Sequence, residues 1–193
     1  MIRALYNWTL ALAQHRHALW ALAIVAFVES SFFPIPPDIL MIPMIVAAPH
    51  RAFRIAAVAT LASVLGGMLG YAIGALLYDS VGQWIIAFYG IADKFDAFKA
   101  TYNEWGIWAI LIAGVTPFPY KVITILSGVT GLSLPVFMAA SVVARGLRFF
   151  IVAALLWKYG APIRDFIERR LGLMFTLAVV LLLGGFFAIK AIG

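Results

Sequence analysis

The sequence predicts an all-α integral membrane protein: an inverted repeat of two re-entrant, proline-broken helical hairpins, with three transmembrane helices and interfacial amphipathic helices around them. Three observations predict it. The 193 residues are 65% hydrophobic and only 11% charged, with mean hydropathy +1.04, whereas soluble domains are about 45–50% apolar and about 25% charged. Several charge-free runs reach the roughly 20 residues that cross a bilayer. Two more apolar stretches are broken by prolines into arms too short to cross. The composition excludes a soluble globular domain, a nucleic-acid binder and a disordered chain. The net charge of +6, from 14 Lys+Arg and 8 Asp+Glu, therefore reads as membrane topology and buried charge. Without cysteine, the chain has no disulfide, thiol nucleophile or thiolate metal site.

The elements follow in order. Over 1–17, Leu5, Trp8 and Leu12 keep helical spacing while Arg3, Asn7 and Gln14 take another face. That is an interfacial helix, not a signal peptide, which needs a continuous apolar stretch and a small-residue cleavage site. Segment 18–48 is a re-entrant hairpin: an apolar arm up to Glu29, a break carrying Pro34, Pro36 and Pro37, then a second short arm. Prolines so close together forbid a continuous helix. Segment 55–78 holds 24 residues without a charge and spans. Over 83–99, Trp84, Phe88, Ile91, Phe95 and Phe98 recur at helical spacing with Asp93 and Asp96 off the stripe, predicting an interfacial helix. Segment 105–130 repeats the hairpin pattern about Pro117 and Pro119. Segments 134–157 and 171–189 span.

The charges orient these elements. Segments 1–17, 49–54 and 158–170 each sum to +2 and segment 79–104 to −2. By the positive-inside rule the N-terminus is cytoplasmic, the first hairpin opens inside, the second opens outside and the C-terminal tail lies outside. The two Pro-x-Pro motifs stand 83 positions apart, and the same offset maps Asp38 onto Lys121. Broken helices in two units of opposite topology, meeting near the midplane, are a transporter pattern.

Five ionisable residues fall inside the apolar regions: Glu29, Asp38, Lys121, Arg145 and Arg148. Each costs about 2.5–3.5 kcal/mol at a helix centre, so unpaired they would cost on the order of 10 kcal/mol. Two carboxylates against three cations leave one spare cation, which invites an anionic ligand. Arg145 and Arg148 share one helix face at i,i+3, and guanidinium forks match phosphate. They bind either a headgroup or only the two carboxylates. Lys121 either joins them or snorkels to the interface. Asp38 follows Pro37 at an N-cap position. Glu29 has no cap or turn to serve. A buried carboxylate is drawn toward the acid by desolvation and toward the anion by a nearby cation, which suits a proton carrier. Gly66, Gly70 and Gly74 form a small-residue ridge that reads as packing within the chain ahead of a dimer seam, which would make a homo-oligomer. His15, His17 and His50 lack metal-ligand spacing with carboxylates, so no metal or other cofactor is expected. No nucleophile–base set and no phosphate-binding glycine loop appears. This argues against an enzyme acting on lipid phosphates and against ATP as the energy source.

Three motifs then carry a resemblance. Glu29-Ser30-Ser31-Phe32-Phe33-Pro34-Ile35-Pro36-Pro37-Asp38, the glycine-rich Gly66-Gly67-Met68-Leu69-Gly70-Tyr71-Ala72-Ile73-Gly74, and Gly114-Val115-Thr116-Pro117-Phe118-Pro119-Tyr120-Lys121 resemble the DedA family. This is the bacterial branch of the VTT-domain, or SNARE-associated Golgi protein, superfamily, and the Thr-Pro-Phe-Pro-Tyr-Lys form is similar to its YqaA-type subgroup. The resemblance implies facing re-entrant hairpins in a multi-pass protein of the bacterial inner membrane. It implies proton-dependent lipid translocation, with undecaprenyl phosphate recycling as the family role, and functional acids at Glu29 and Asp38. The family's second hairpin carries two arginines around Phe-x-Pro. Here Thr116 replaces the first and Lys121 stands near the second, so Arg145 and Arg148 are expected to supply the missing charge. The expected activity is a proton-coupled flippase for an anionic polyprenyl phosphate or phospholipid, whose headgroup Lys121, Arg145 and Arg148 hold. The partners are then membrane lipids and protons, not nucleic acid. A proton-coupled carrier of small solutes or ions, and a structural or chaperone-like membrane component, are the rival readings.

Overall fold

The computed structural model describes residues 17–33, 35–116 and 118–160, and every regular element among them is helical. The interfacial helix expected over 1–17, all but its last residue, and the span expected over 171–189 lie outside these residues, as do Pro34 and Pro117. Seven α-helices run α1 (Ala18–Ser31), α2 (Asp38–Ala47), α3 (Ala52–Leu77), α4 (Gln83–Tyr89), α5 (Ala92–Val115), α6 (Tyr120–Thr130) and α7 (Leu134–Tyr159). A 3-10 turn at Pro49–Arg51 leads into α3, and a π-helical turn at Tyr78–Gly82 joins α3 to α4. Two helical runs are long and apolar enough to cross a membrane, Pro49–Tyr89 and Leu134–Tyr159. They contain the segments expected to span at 55–78 and 134–157.

The helical path stops where prolines cluster. It ends at Ser31 and resumes at Asp38, with 14 and 10 residues in the two arms, each under the length that crosses a bilayer. The second interruption lies between Val115 and Tyr120. Its flanks are unequal. Residues 105–115 are the latter part of the 24-residue α5, so the second unit joins a long helix to an 11-residue one. A helix is not obliged to end where its apolar part does, and Asp93, Lys94, Asp96 and Glu104 lie exposed along residues 92–104 of α5.

The segment 83–99 departs from expectation. It is not one interfacial helix. Gly90 adopts φ 62°, and Ile91 N–H bonds back to Ile86 O (3.1 Å) while Gly90 N–H bonds to Ala87 O (3.2 Å). This is a Schellman stop, which needs a left-handed residue that glycine alone adopts without strain. Residues 83–89 therefore extend the α3 run, and α5 turns back along it, with the Tyr78 and Phe95 rings stacked at 5.4 Å. Gly131 ends α6 in the same way, at φ 66° with Leu132 N–H on Ser127 O. A Cβ at Gly131 meets no neighbour, so only the backbone resists it. Gly131→Ala is expected to lower stability by about 1–2 kcal/mol, the usual cost of an L-residue in that region, as read by thermal unfolding in detergent. An unchanged midpoint would show that α6 does not depend on this stop.

The central helix is α3, packed by α1, α6 and α7, while α5 packs on α6 and α7. The buried apolar residues form two groups. One joins Leu22, Met41 and Ile45 to Ala56, Phe149 and Leu156. The other joins Ile110 and Ile123 to Leu132, Phe137 and Ala140. Along α7 the polar residues Ser141 and Arg145 fall between the α7 members of the two groups.

Candidate functional site: two ion pairs across the proline breaks

Arg145 and Arg148 lie one turn apart on α7 and reach different elements. Arg145 Nη2 donates to Glu29 Oε2 at 2.9 Å, and Arg148 Nη2 donates to Asp38 Oδ2 at 2.8 Å. The carboxylates stand on opposite sides of the first proline break, at the end of α1 and the start of α2. Each pair has a sealed member and a more open one. Side-chain exposure is 2% for Arg145 against 14% for Glu29, and 5% for Asp38 against 13% for Arg148.

The first pair closes into a ring. Arg145 Nε donates to Ser63 Oγ at 2.6 Å, and Ser30 Oγ donates to Glu29 Oε2 at 3.0 Å. The 2.6 Å contact between Ser30 Oγ and Ser63 Oγ then has only one polarity left, from Ser63 to Ser30. Four side chains from α1, α3 and α7 thus close into a ring in which Arg145 donates in both directions, Glu29 accepts from both, and the two serine hydroxyls pass donation from the arginine to the carboxylate. The Arg145 guanidinium also lies over the rings of Tyr120 (4.9 Å) and Phe149 (4.6 Å). Delocalised and weakly hydrated, a guanidinium suits such a site better than an ammonium.

The second pair is a clasp with loose ends. Arg148 Nη1 donates to the Thr116 carbonyl at 2.7 Å, so one guanidinium holds Asp38 beside the first break and Thr116 in the second. Arg148 Nε and Asp38 Oδ1 are both buried and have no partner among the described residues. Asp38 is not a cap. It is the first residue of α2, no side chain caps that helix, and its charge goes to Arg148. A carboxylate in a first helical turn still gains from the helix dipole.

Of the five charges picked out in the sequence, the fold brings four together. Lys121 forms no ion pair among the described residues and is half-buried in the first turn of α6. No side chain caps that helix at Pro119, so its first N–H groups and the lysine form one positive end. Pro36 is exposed and Pro37 buried in the first break, and Pro119 immediately precedes α6. The glycine ridge faces inward. A Cβ at Gly66 would fall on the Phe27 carbonyl of α1, and one at Gly74 on the Ile125 carbonyl of α6. At Gly70 it would meet Thr124 and the Ser30 carbonyl. Ser30, Ser63 and the two rings over Arg145 were not singled out from sequence. The available signal was Ser63, a polar residue inside a charge-free run.

The VTT domain family matches residues 33–158. The chain belongs to the DedA family of VTT-domain proteins. An uncharacterized protein of Haemophilus influenzae is 38% identical over 168 residues, covering 85% of this chain and 87% of the relative. A second, from Histophilus somni, is 36% identical over the same extent. No solved structure matches. Within this VTT domain lie Asp38, Thr116, Lys121, Arg145 and Arg148, while Glu29 stands four residues before the matched region. Membership carries a membrane transporter-like role. In that setting the two buried ion pairs are the candidate site, because ionisable side chains are costly in a bilayer.

Proposed function

We propose that this DedA-family protein is a proton-coupled transporter of an anionic lipid, with polyprenyl phosphate such as undecaprenyl phosphate as substrate, in the bacterial inner membrane. One observation carries the reading: the Arg148 guanidinium, held by Asp38 and Thr116 at the two breaks, keeps a buried Nε–H unused among the described residues, and Lys121, without an ion pair among them, lies five residues along from Thr116.

In the resting arrangement Asp38 is a tethered anion on Arg148. Protonation of Asp38 removes that charge, and the fork turns to the phosphate. Nε–H and Nη2–H then donate to phosphate oxygens, as arginine does to phosphate elsewhere. The Lys121 ammonium and the uncapped first turn of α6 add positive charge from the second break. Arg145, covered by two rings and tied into its ring of hydroxyls, holds Glu29 and is the less exposed of the two arginines. Glu29 takes up a second proton, which weakens the α1–α7 link. The polyprenyl tail stays in the bilayer throughout.

The test is polyprenyl-phosphate transbilayer movement in proteoliposomes under a proton gradient. Arg148→Ala and Glu29→Gln are each expected to slow transport by about tenfold or more, the scale of losing a charge-assisted hydrogen bond of roughly 1.5–3 kcal/mol. Lys121→Ala should weaken lipid dependence more than maximal rate. Parallel vesicles carrying only phospholipid substrate report the headgroup. Unchanged transport in both Arg148→Ala and Glu29→Gln would leave the ion pairs as structural members and remove this reading.

A further inference from the structure

The two helical runs long and apolar enough to cross a membrane meet at one end of the bundle, where Pro49–Tyr89 begins and Leu134–Tyr159 finishes. The start of α1 and the end of α2 share that end, since Ala18, Ile45, Ala52 and Leu156 belong to one buried group. Arg51 and Arg54 open the first run and Lys158 lies in the last turn of α7, all three exposed. None of them forms an ion pair among the described residues. The sequence gives the reason. Neither α3 nor α7 contains an acid. The only acids of α1 and α2 are Glu29 and Asp38, which stand at the other ends of those helices and are held by Arg145 and Arg148.

An aromatic face lies beside these cations. The Phe53 ring is 6.3 Å from that of Phe150 and 5.9 Å from that of Trp157. Phe150 and Trp157 are seven residues apart, two turns along one face of α7 and about 10.5 Å. The three rings therefore cover the seam between α3 and α7, and all three are exposed. Tyr159, also exposed, carries the Lys158 ammonium 5.4 Å over its ring. Tryptophan and tyrosine gather at the headgroup level of a bilayer, which is where the end of a spanning run stands.

We propose that this end of the bundle is a binding site for an anionic phospholipid, separate from the two ion pairs. Arg51, Arg54 and Lys158 hold the headgroup, and the rings of Phe53, Phe150 and Trp157 lie along the acyl chain. Lys158 is ten residues beyond Arg148, about 15 Å along α7, so the transport reading neither supplies nor requires this site. The cations select for charge. A headgroup of net negative charge gains at each of them, whereas a zwitterionic headgroup brings its own ammonium and gains little. The rings offer apolar area to the chain of either lipid. A phospholipid answers both halves of the surface, while inorganic phosphate or a soluble acidic segment answers only the charge.

The experiment is native mass spectrometry of the full chain released from micelles loaded with phosphatidylglycerol, phosphatidylcholine or equal parts of both. The wild type is expected to retain phosphatidylglycerol in preference. Arg51→Ala, Arg54→Ala and Lys158→Ala should each lower that preference about fivefold, and Arg51→Ala with Arg54→Ala about 25-fold, the ratios that correspond to roughly 1 kcal/mol per basic side chain near a membrane surface. Arg51→Lys with Arg54→Lys keeps the preference, because charge carries it. Trp157→Ala lowers retention of both lipids alike and leaves the preference in place. Lys94→Ala with Lys99→Ala removes as much charge from α5 and changes neither quantity. A preference that survives Arg51→Ala with Arg54→Ala, or that falls equally with Lys94→Ala and Lys99→Ala, overturns the site. Displacement of phosphatidylglycerol by an equal concentration of inorganic phosphate overturns the lipid as its occupant.

Discussion

Arg145→Ala is expected to destabilise the folded protein by about 3–5 kcal/mol, the cost of stripping one partner from a buried ion pair. The reason lies in the ring. Without the guanidinium, Glu29 loses its counter-ion, Ser63 loses its donor, and Tyr120 and Phe149 face a void between them. The double variant Arg145→Met with Glu29→Leu should recover most of the loss, because replacing both charges by apolar groups of similar size removes the desolvation cost together with the attraction. Lys121→Ala, which breaks no ion pair among the described residues, should shift the midpoint by less than about 0.5 kcal/mol. Equilibrium unfolding in detergent micelles measures all three. If Arg145→Ala cost no more than Lys121→Ala, the ring would contribute nothing to stability.

This expectation also shows what the sequence made legible. Glu29, Asp38, Arg145 and Arg148 stood out because a charge in an apolar run is expensive and must be answered, and the arithmetic of two acids against three cations left one cation over. The fold leaves Lys121 in that place. Which acid meets which arginine was not legible, since pairing depends on how α7 crosses α1 and α2. The hydroxyl partners were hidden for another reason. Serine and threonine are neutral, common in apolar helices and able to satisfy themselves on the preceding turn, so nothing in the sequence separates Thr124, which also reaches the Ser30 carbonyl of α1, from Thr130, whose hydroxyl bonds only within α6.

The helices were legible where their ends are chemical and obscure where they are geometric. Proline clusters placed both interruptions, because the ring removes a donor and restricts the residue before it. Gly90 passed unnoticed inside the aromatic stripe at 83–99. The spacing of Trp84, Phe88, Ile91, Phe95 and Phe98 carries straight through it, and periodicity does not record the sign of φ. The chain turns back there, so one side of the stripe ends on α4 and the other begins α5.

Gly74→Ala is expected to cost about 3 kcal/mol or more, at or beyond the upper end for overpacking. The added methyl would land on the Ile125 carbonyl. A backbone oxygen held in α6 cannot rotate aside as a side-chain tip can, so α3 and α6 must separate. Gly146 on α7 supplies the control. A Cβ there meets only a Thr60 methyl carbon at 3.9 Å, ordinary contact, so Gly146→Ala should stabilise by roughly 0.5–1 kcal/mol through helix propensity alone. The same substitution thus takes opposite signs at two helical glycines, which separates close approach from composition. The consequence at Gly74 reaches the site. Moving α6 from α3 draws Thr124 away from Ser30 and Tyr120 away from Arg145, so Gly74→Ala should impair transport even under conditions where it remains folded. A Gly74→Ala protein with wild-type stability and transport would mean that α3 and α6 do not meet through this glycine.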